Sequence, residues 1–142
     1  MIIKNKKATF EYSILDQYVS GIVLVGTEIK SIKKGKASLV DSYCTFTGNE
    51  LFLINSHIDE YEFGNQFNHD PKRQRKLLLK KKELRKIKRK ITEKGLTIVP
   101  LNMFINDKGL CKVTICVAKG KKLYDKKIAI KERDIKRELQ RY

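Results

Sequence analysis

Leu96-Thr-Ile-Val-Pro-Leu-Asn-Met-Phe-Ile105, then Asn106-Asp-Lys-Gly109, then Leu110-Cys-Lys-Val-Thr-Ile-Cys-Val-Ala118 is the stretch that decides the fold. Two apolar, β-branched arms flank a short turn of Asn, Asp and Gly, which predicts an antiparallel hairpin. On the second arm Val113, Ile115 and Val117 share one face and Lys112, Thr114 and Cys116 the other, the two-residue period of a strand.

Working outward, Ser42–Thr47 and Glu50–Asn55 form a second hairpin pattern around Gly48-Asn49, a pair that tolerates positive φ. Thr9–Leu15 and the apolar run Gly21–Val25 read as two more strands. Thr27–Lys34 changes period and predicts a short helix, with Thr27 as N-cap and Gly35 as stop. Residues 59–74 show no period and read as a loop. A long helix is expected next, because Leu77, Leu84, Ile87 and Ile91 fall on one helical face and nearly every other position is Lys or Arg. The expected fold is mainly β: a small closed OB-like barrel with a short helix and a longer basic one.

Lys119-Gly-Lys-Lys122 is expected to break the last strand. Beyond it Ile128, Ile135, Leu139 and Tyr142 keep a helical spacing, but so short and charged a segment is marginal alone and is expected to be disordered when free. The chain therefore divides into a body, residues 1–122, and a basic tail, residues 123–142.

The 142 residues carry 32 Lys and Arg against 16 Asp and Glu, a net charge of +16. The excess is concentrated: residues 1–71 sum to −2, 72–94 to +11 and 119–142 to +6. Two separate blocks favour two contact surfaces for a polyanion over a general solubility charge. No apolar run is long enough to span a membrane and no secretory signal is readable, so a cytoplasmic location is expected. Cys44, Cys111 and Cys116 make an odd set with no CxxC pair and read as buried thiols.

Catalytic patterns are weak. His57 and His69 have no partner at metal-ligand spacing, and His69-Asp70 before Pro71 reads as a turn rather than half of a catalytic pair. Gly120-Lys-Lys122 lacks the spacing of a phosphate loop. Asp59, Glu60 and Glu62 read as a solvated loop rather than a magnesium site. No enzyme and no cofactor are expected. Binding chemistry is better represented, since lysines and arginines neutralise phosphates, and Tyr12, Tyr18, Tyr43, Tyr61, Phe63 and Phe67 are candidates for stacking on unpaired bases.

Asn5-Lys-Lys-Ala8, Gly21-Ile-Val-Leu24 with Gly26-Thr-Glu-Ile-Lys-Ser31, His57-Ile58 with Tyr61, Asp70-Pro71 followed by Arg73-Gln-Arg-Lys-Leu-Leu-Leu79, and Val117-Ala-Lys-Gly-Lys-Lys122 followed by Asp125-Lys-Lys127 occur in that order. The ordered set closely resembles the SmpB family, the SsrA-binding proteins. The resemblance implies an OB-like barrel that binds the tRNA-like domain of transfer-messenger RNA (tmRNA). It implies delivery of that RNA to stalled bacterial ribosomes for trans-translation, the body standing in for an anticodon arm. The tail would enter the vacant small-subunit decoding centre and mRNA channel and become helical there. Elongation factor Tu would belong to the delivery complex, and the protein would act as a monomer that makes no bond itself.

Carried over by position, the resemblance implies that Asn5, Tyr12, Leu77, Lys112 and Gly120 lie at or near the RNA-binding surface. Tyr124, Asp125, Lys126 and Lys127 fill the ribosome-contacting tail motif. Lys30, Arg75 and Lys76 are electrostatic candidates added from charge. Four departures stand out. Lys127 replaces a common Arg and loses its planar fork. Ile135 replaces Trp and leaves only an apolar anchor. Val19-Ser20 replaces Glu-Ala, and Lys80 takes a position that is often His. The alternative reading is a generic OB-type single-strand binder or a ribosome-associated structural protein. A third, an RNA-modifying or RNA-cleaving enzyme, would rest on His69-Asp70 and the acidic loop alone.

Overall fold

The Leu96–Ala118 pattern folds as an antiparallel pair, β8 (Thr97–Ile105) and β9 (Cys111–Gly120), turning at Gly109 with φ +79°. The computed structural model describes residues 2–120 of the chain. Preceding the pair are β1 (Ile2–Lys4), α1 (Lys6–Glu11), β2 (Tyr12–Ile22), α2 (Gly26–Lys33), β3 (Ala37–Ser38), β4 (Tyr43–Thr47), β5 (Glu50–Ile54), β6 (His57–Ile58), β7 (Arg75–Leu78) and α3 (Lys81–Lys94). Between β6 and β7 the chain makes one 3-10 turn, Asn65–Phe67.

Antiparallel pairings run β8-β4-β5-β7-β2-β9 and return to β8, a closed ring with β1 added along β8. Two of its seams are short: β4 meets β8 at Cys44 and Ile98, and β2 meets β7 at Gly21 and Ile22. Val113, Ile115 and Val117 point into the ring, where they meet Leu51, Leu53, Leu77 and Met103, all fully buried. Burying each such side chain contributes roughly 1.5–3 kcal/mol.

Cys116 and Ala118, on the opposite face of β9, are buried as well. Ala8 of α1 lies on them and on Val99, and side chains this small let the helix approach the strands closely. Asn5 fixes the start of α1: its N–H donates to the Leu101 carbonyl at 2.8 Å and its Nδ2 to the Pro100 carbonyl at 2.9 Å. Both carbonyls lie where the β8 register shifts, next to a proline that has no N–H for the ladder.

Several expectations are corrected. Thr9–Glu11 belongs to α1, because Ala8 finds an apolar floor there, so no strand runs from Thr9. Tyr12–Ile22 is one long strand bent at a register shift between Ile14 and Asp16, and Val23–Val25 has already left the sheet. The helix at 26–33 is preceded by Val25 and not capped by Thr27, whose hydroxyl bonds His69 Nδ1 at 2.8 Å instead. Leu77 lies in β7, not on the basic helix, since its backbone is taken by β5 and β2. Lys119 and Gly120 continue β9 rather than breaking it, pairing with Ser13 and Tyr12.

α3 starts where Glu83 Oε1 accepts the Lys80 N–H at 3.1 Å and stops at Gly95, whose φ of +62° is left-handed. Of the expected stripe, Ile87 is fully buried, Leu84 and Ile91 are half-buried, and the remaining faces are cationic. Lys90 pairs with Asp16 and ties the helix to β2. Cys44 and Cys116 are buried and Cys111 half-buried. Burial pushes the Cys44 thiol far up, and those of Cys111 and Cys116 up to about 11, so all three are held as neutral thiols. Among the described residues no helix is long and apolar enough to cross a membrane.

Ile87 is the anchor of the basic helix, and Ile87→Ala is expected to cost about 2–5 kcal/mol of unfolding free energy. Urea titration followed by circular dichroism measures it, with half-buried Leu84→Ala costing less.

Candidate nucleic-acid interface

Glu28 stands on the face of α2 that also carries buried Ser31 and Ile32, and none of its side chain is exposed. Its Oε1 accepts the Val25 N–H at 2.9 Å and Arg73 Nη2 at 2.6 Å. Its Oε2 accepts Arg73 Nε at 3.1 Å and Arg75 Nε at 2.7 Å. Burial alone would raise the carboxyl, but the Arg73, Val25 and Arg75 bonds outweigh it and hold Glu28 below the ordinary carboxylate value. Arg75 is equally enclosed. Its Nη1 donates to Ser56 carbonyl and hydroxyl at 2.9 and 3.0 Å, and its Nη2 to the Pro71 and Asp70 carbonyls at 3.1 and 3.4 Å.

This corrects the reading of Arg75 as an electrostatic RNA contact. Its guanidinium has no exposed surface, and every N–H is already used. Leu77 is likewise a core residue with 1% exposure, so the side chain that β7 offers outward beside it is Leu78, 49% exposed. Glu28 and Arg73 escaped the sequence reading. The available signal was an acid at the helical spacing of Ser31 and Ile32, in a helix otherwise Lys-rich.

The remaining candidates fall at two ends of the β2–β9 ribbon. Tyr12 pairs with Gly120 at one end, next to Asn5 in a shallow cleft shared with Lys7 and Tyr43. Lys112 pairs with Gly21 at the other, about 30 Å away along the strands. A Cβ on Gly21 would stand 3.3 Å from Leu78 Cβ, so that end is closely packed. Val19, 58% exposed, lies two residues before Gly21 on the same strand. Lys76 is half-exposed and bonds Glu50 at 2.5 Å, while Lys30 is exposed on α2. Tyr124, Asp125, Lys126, Lys127 and Ile135 lie outside the described residues.

His69 does not engage Asp70. Its Nε2 bonds the Ile58 carbonyl at 2.9 Å and its Nδ1 the Thr27 hydroxyl, while Asp70 Oδ1 accepts the Lys72 N–H at 2.9 Å. His57 pairs with Asp59 at 2.8 Å and Lys34 with Glu62 at 3.1 Å. Among the described residues no group of three His, Cys, Asp or Glu side chains is placed to hold a metal. Of the aromatic candidates, Tyr12, Tyr18 and Tyr61 are half-buried, and Tyr43, Phe63 and Phe67 are exposed. On α3, Lys81, Lys82, Arg85, Lys86, Lys88 and Arg89 are all exposed, and Lys88 also reaches the Gly48 carbonyl at 2.9 Å.

A closed antiparallel barrel carrying a cationic helix, lysine-flanked aromatics and clustered basic side chains defines a small β-barrel protein of the nucleic-acid-binding class. The family model described as SmpB protein matches residues 2–142, and the chain belongs to the SmpB family. It is 56% identical over 139 residues to the SsrA-binding protein of Christiangramia forsetii, covering 98% of this chain and 88% of that one. It is 58% identical to that of Flavobacterium johnsoniae, covering 98% and 92%. The SsrA-binding protein of Agrobacterium fabrum is 48% identical over 141 residues, covering 99% and 88%. A solved structure described as "tmRNA-SmpB: a journey to the center of the bacterial ribosome" superposes with a TM-score of 0.73 at 46% identity, covering 88% of this chain and 87% of that one.

Glu28→Gln keeps the shape but leaves two guanidiniums facing a neutral amide, and is expected to cost about 3–5 kcal/mol at neutral pH. Because the folded Glu28 carboxyl is depressed, its stabilisation is complete above the ordinary carboxylate value of 4.5 and is lost as pH falls through the folded value. Urea melts of both proteins from pH 7 to 3 should therefore show the gap between them closing below about pH 4.5.

Proposed function

We propose that this protein binds the tRNA-like domain of tmRNA and delivers it to stalled bacterial ribosomes for trans-translation. The observation that carries the reading is a barrel of the SmpB family whose exposed cations are densest on α3, with further ones on α1 and α2. Lysines in such an arrangement neutralise phosphates and release counterions, which supplies affinity for a folded RNA without base-specific readout. Tyr12, Lys112 and Gly120, with Lys30 and Lys76 as charge partners, are the proposed RNA-facing positions on the body, and Asn5, 5% exposed, positions α1 beside Tyr12.

The body, residues 1–122, carries RNA binding, and residues 123–142 probe the empty decoding centre and mRNA channel through Tyr124, Asp125, Lys126, Lys127 and Ile135. The protein acts as a cytoplasmic monomer, with elongation factor Tu in the delivery complex and peptide transfer left to the ribosome. The resemblance of the tail motif supports this division, and so does the separation of the +11 and +6 charge blocks.

Cutting the chain after Lys122 tests the division of labour. Gel shift with the tRNA-like domain should show binding largely retained, while tagging of peptides on stalled ribosomes should be lost; the reverse pattern would overturn it. An excess of poly(U) that competes as well as tmRNA would favour the generic single-strand binder instead. On the body, Lys112→Ala is expected to weaken RNA binding and lower the slope of log affinity against log salt by about one, with the melting temperature unchanged.

A further inference from the structure

Lys30 on α2 and Lys34, the residue that follows its last turn, lean over the loop that follows β6. Both ammonium groups lie 5.4 Å from the Tyr61 ring centroid, and that of Lys34 lies 5.2 Å from Phe63. Tyr61 and Phe63 meet edge to face at 5.5 Å. Beyond them the rings open to solvent, Phe63 with 67% and Phe67 with 81% exposure.

The loop is built to hold these rings in place. Asn68 clamps Tyr61, its Oδ1 accepting the Tyr61 N–H at 2.9 Å and its Nδ2 donating to the Tyr61 carbonyl at 2.7 Å. Gly64 sits so close that a Cβ there would stand 2.5 Å from Asn68 Nδ2. His69, bonded through both ring nitrogens, pins the far end of the loop to Thr27 and Ile58. Tyr61 held this way, and Phe63 packed against it, lose little conformational freedom on meeting a partner, while Phe67 projects further from the same loop.

We propose that this platform stacks unpaired bases of the tRNA-like domain of tmRNA on Phe63 and Phe67, with Lys30 and Lys34 taking the flanking phosphates. The proposal rests on the tmRNA-binding reading above. An open ring face suits a splayed base and has no access to a stacked one inside a duplex, and base stacking on aromatics tolerates any base. Adjacent lysines suit a phosphate-bearing ligand: Asp59 is held by His57, exposed Glu60 stands in the same loop, and a phosphate on Lys34 would displace Glu62 from an exposed pair that yields readily. The platform is also continuous with the Lys112 end of the ribbon. β2 ends just past Gly21, and Val23–Val25 leads directly into α2, with the Val23 carbonyl held by Arg73.

The test compares Phe63→Ala/Phe67→Ala, Phe63→Tyr/Phe67→Tyr and Lys30→Glu with the unaltered protein. It measures fluorescence anisotropy on the purified tRNA-like domain and chemical reactivity of its unpaired bases. The alanine pair is expected to weaken binding roughly tenfold or more and to restore reactivity to bases the unaltered protein protects. The tyrosine pair should retain both affinity and protection, and Lys30→Glu, which removes no ring, should weaken binding. Unchanged affinity and protection in the alanine pair and in Lys30→Glu would overturn the platform while leaving the tmRNA reading standing. Loss of ribosome or protein binding alone would overturn it too. No binding of the RNA by the unaltered protein would remove both.

Discussion

Taking the Glu28 carboxylate out of water costs several kcal/mol, and the cost is offset only where geometry fills its lone pairs with charged donors. Two guanidiniums and one backbone N–H fill them here. The same bonds tie together parts of the chain that apolar packing holds weakly. α2 is fixed to β7, the end of β5 is reached through Ser56, and the loop is drawn in through the Asp70 and Pro71 carbonyls. Because Arg75 spends all five N–H groups inside, the network has no alternative partner to relax toward. A shift of α2 would break several charged bonds at once, so the surface that α2 and the loop share is set by a polar lock.

How much of this could be read in the sequence depends on whether the deciding partner was local. The β8–β9 and β4–β5 hairpins were legible because period-two alternation and a glycine turn lie within about twenty residues. α1 was not, since Thr9 and Phe10 favour strands and the reason for a helix, the floor of Val99, Cys116 and Ala118 under Ala8, lies about a hundred residues away. Leu77 joined the helical stripe because seven residues to Leu84 is as good a helical spacing as any, and only the pairing of β7 with β5 and β2 separates them.

The candidate site shows the same divide more sharply. A charged residue looks alike in sequence whether it faces a phosphate or a buried counter-ion. Arg75, by charge, and Lys112, by resemblance, both read as RNA contacts, but Glu28, 47 positions from Arg75, claims one and leaves the other. Lys76, Lys90 and Lys34 are likewise partly spoken for by Glu50, Asp16 and Glu62. The exposed pairs of Lys76 and Lys34 contribute little to stability and yield readily to a phosphate, whereas half-buried Lys90–Asp16 is less open to one and the Glu28 network does not yield. Buried Arg75 and Glu28 cancel in the formal net charge, so the sum does not tell which cations are available.

The span of the β2–β9 ribbon then constrains what the body can grip. Tyr12 with Gly120 and Gly21 with Lys112 sit about 30 Å apart on strands paired throughout except at the register shift between Ile14 and Asp16, so the sheet holds the separation. A flexible single strand would not require a fixed spacing of that kind, whereas a folded RNA with phosphates at set positions would exploit it. Rigidity of the ribbon, and not the number of lysines, is what favours shape recognition of a structured RNA.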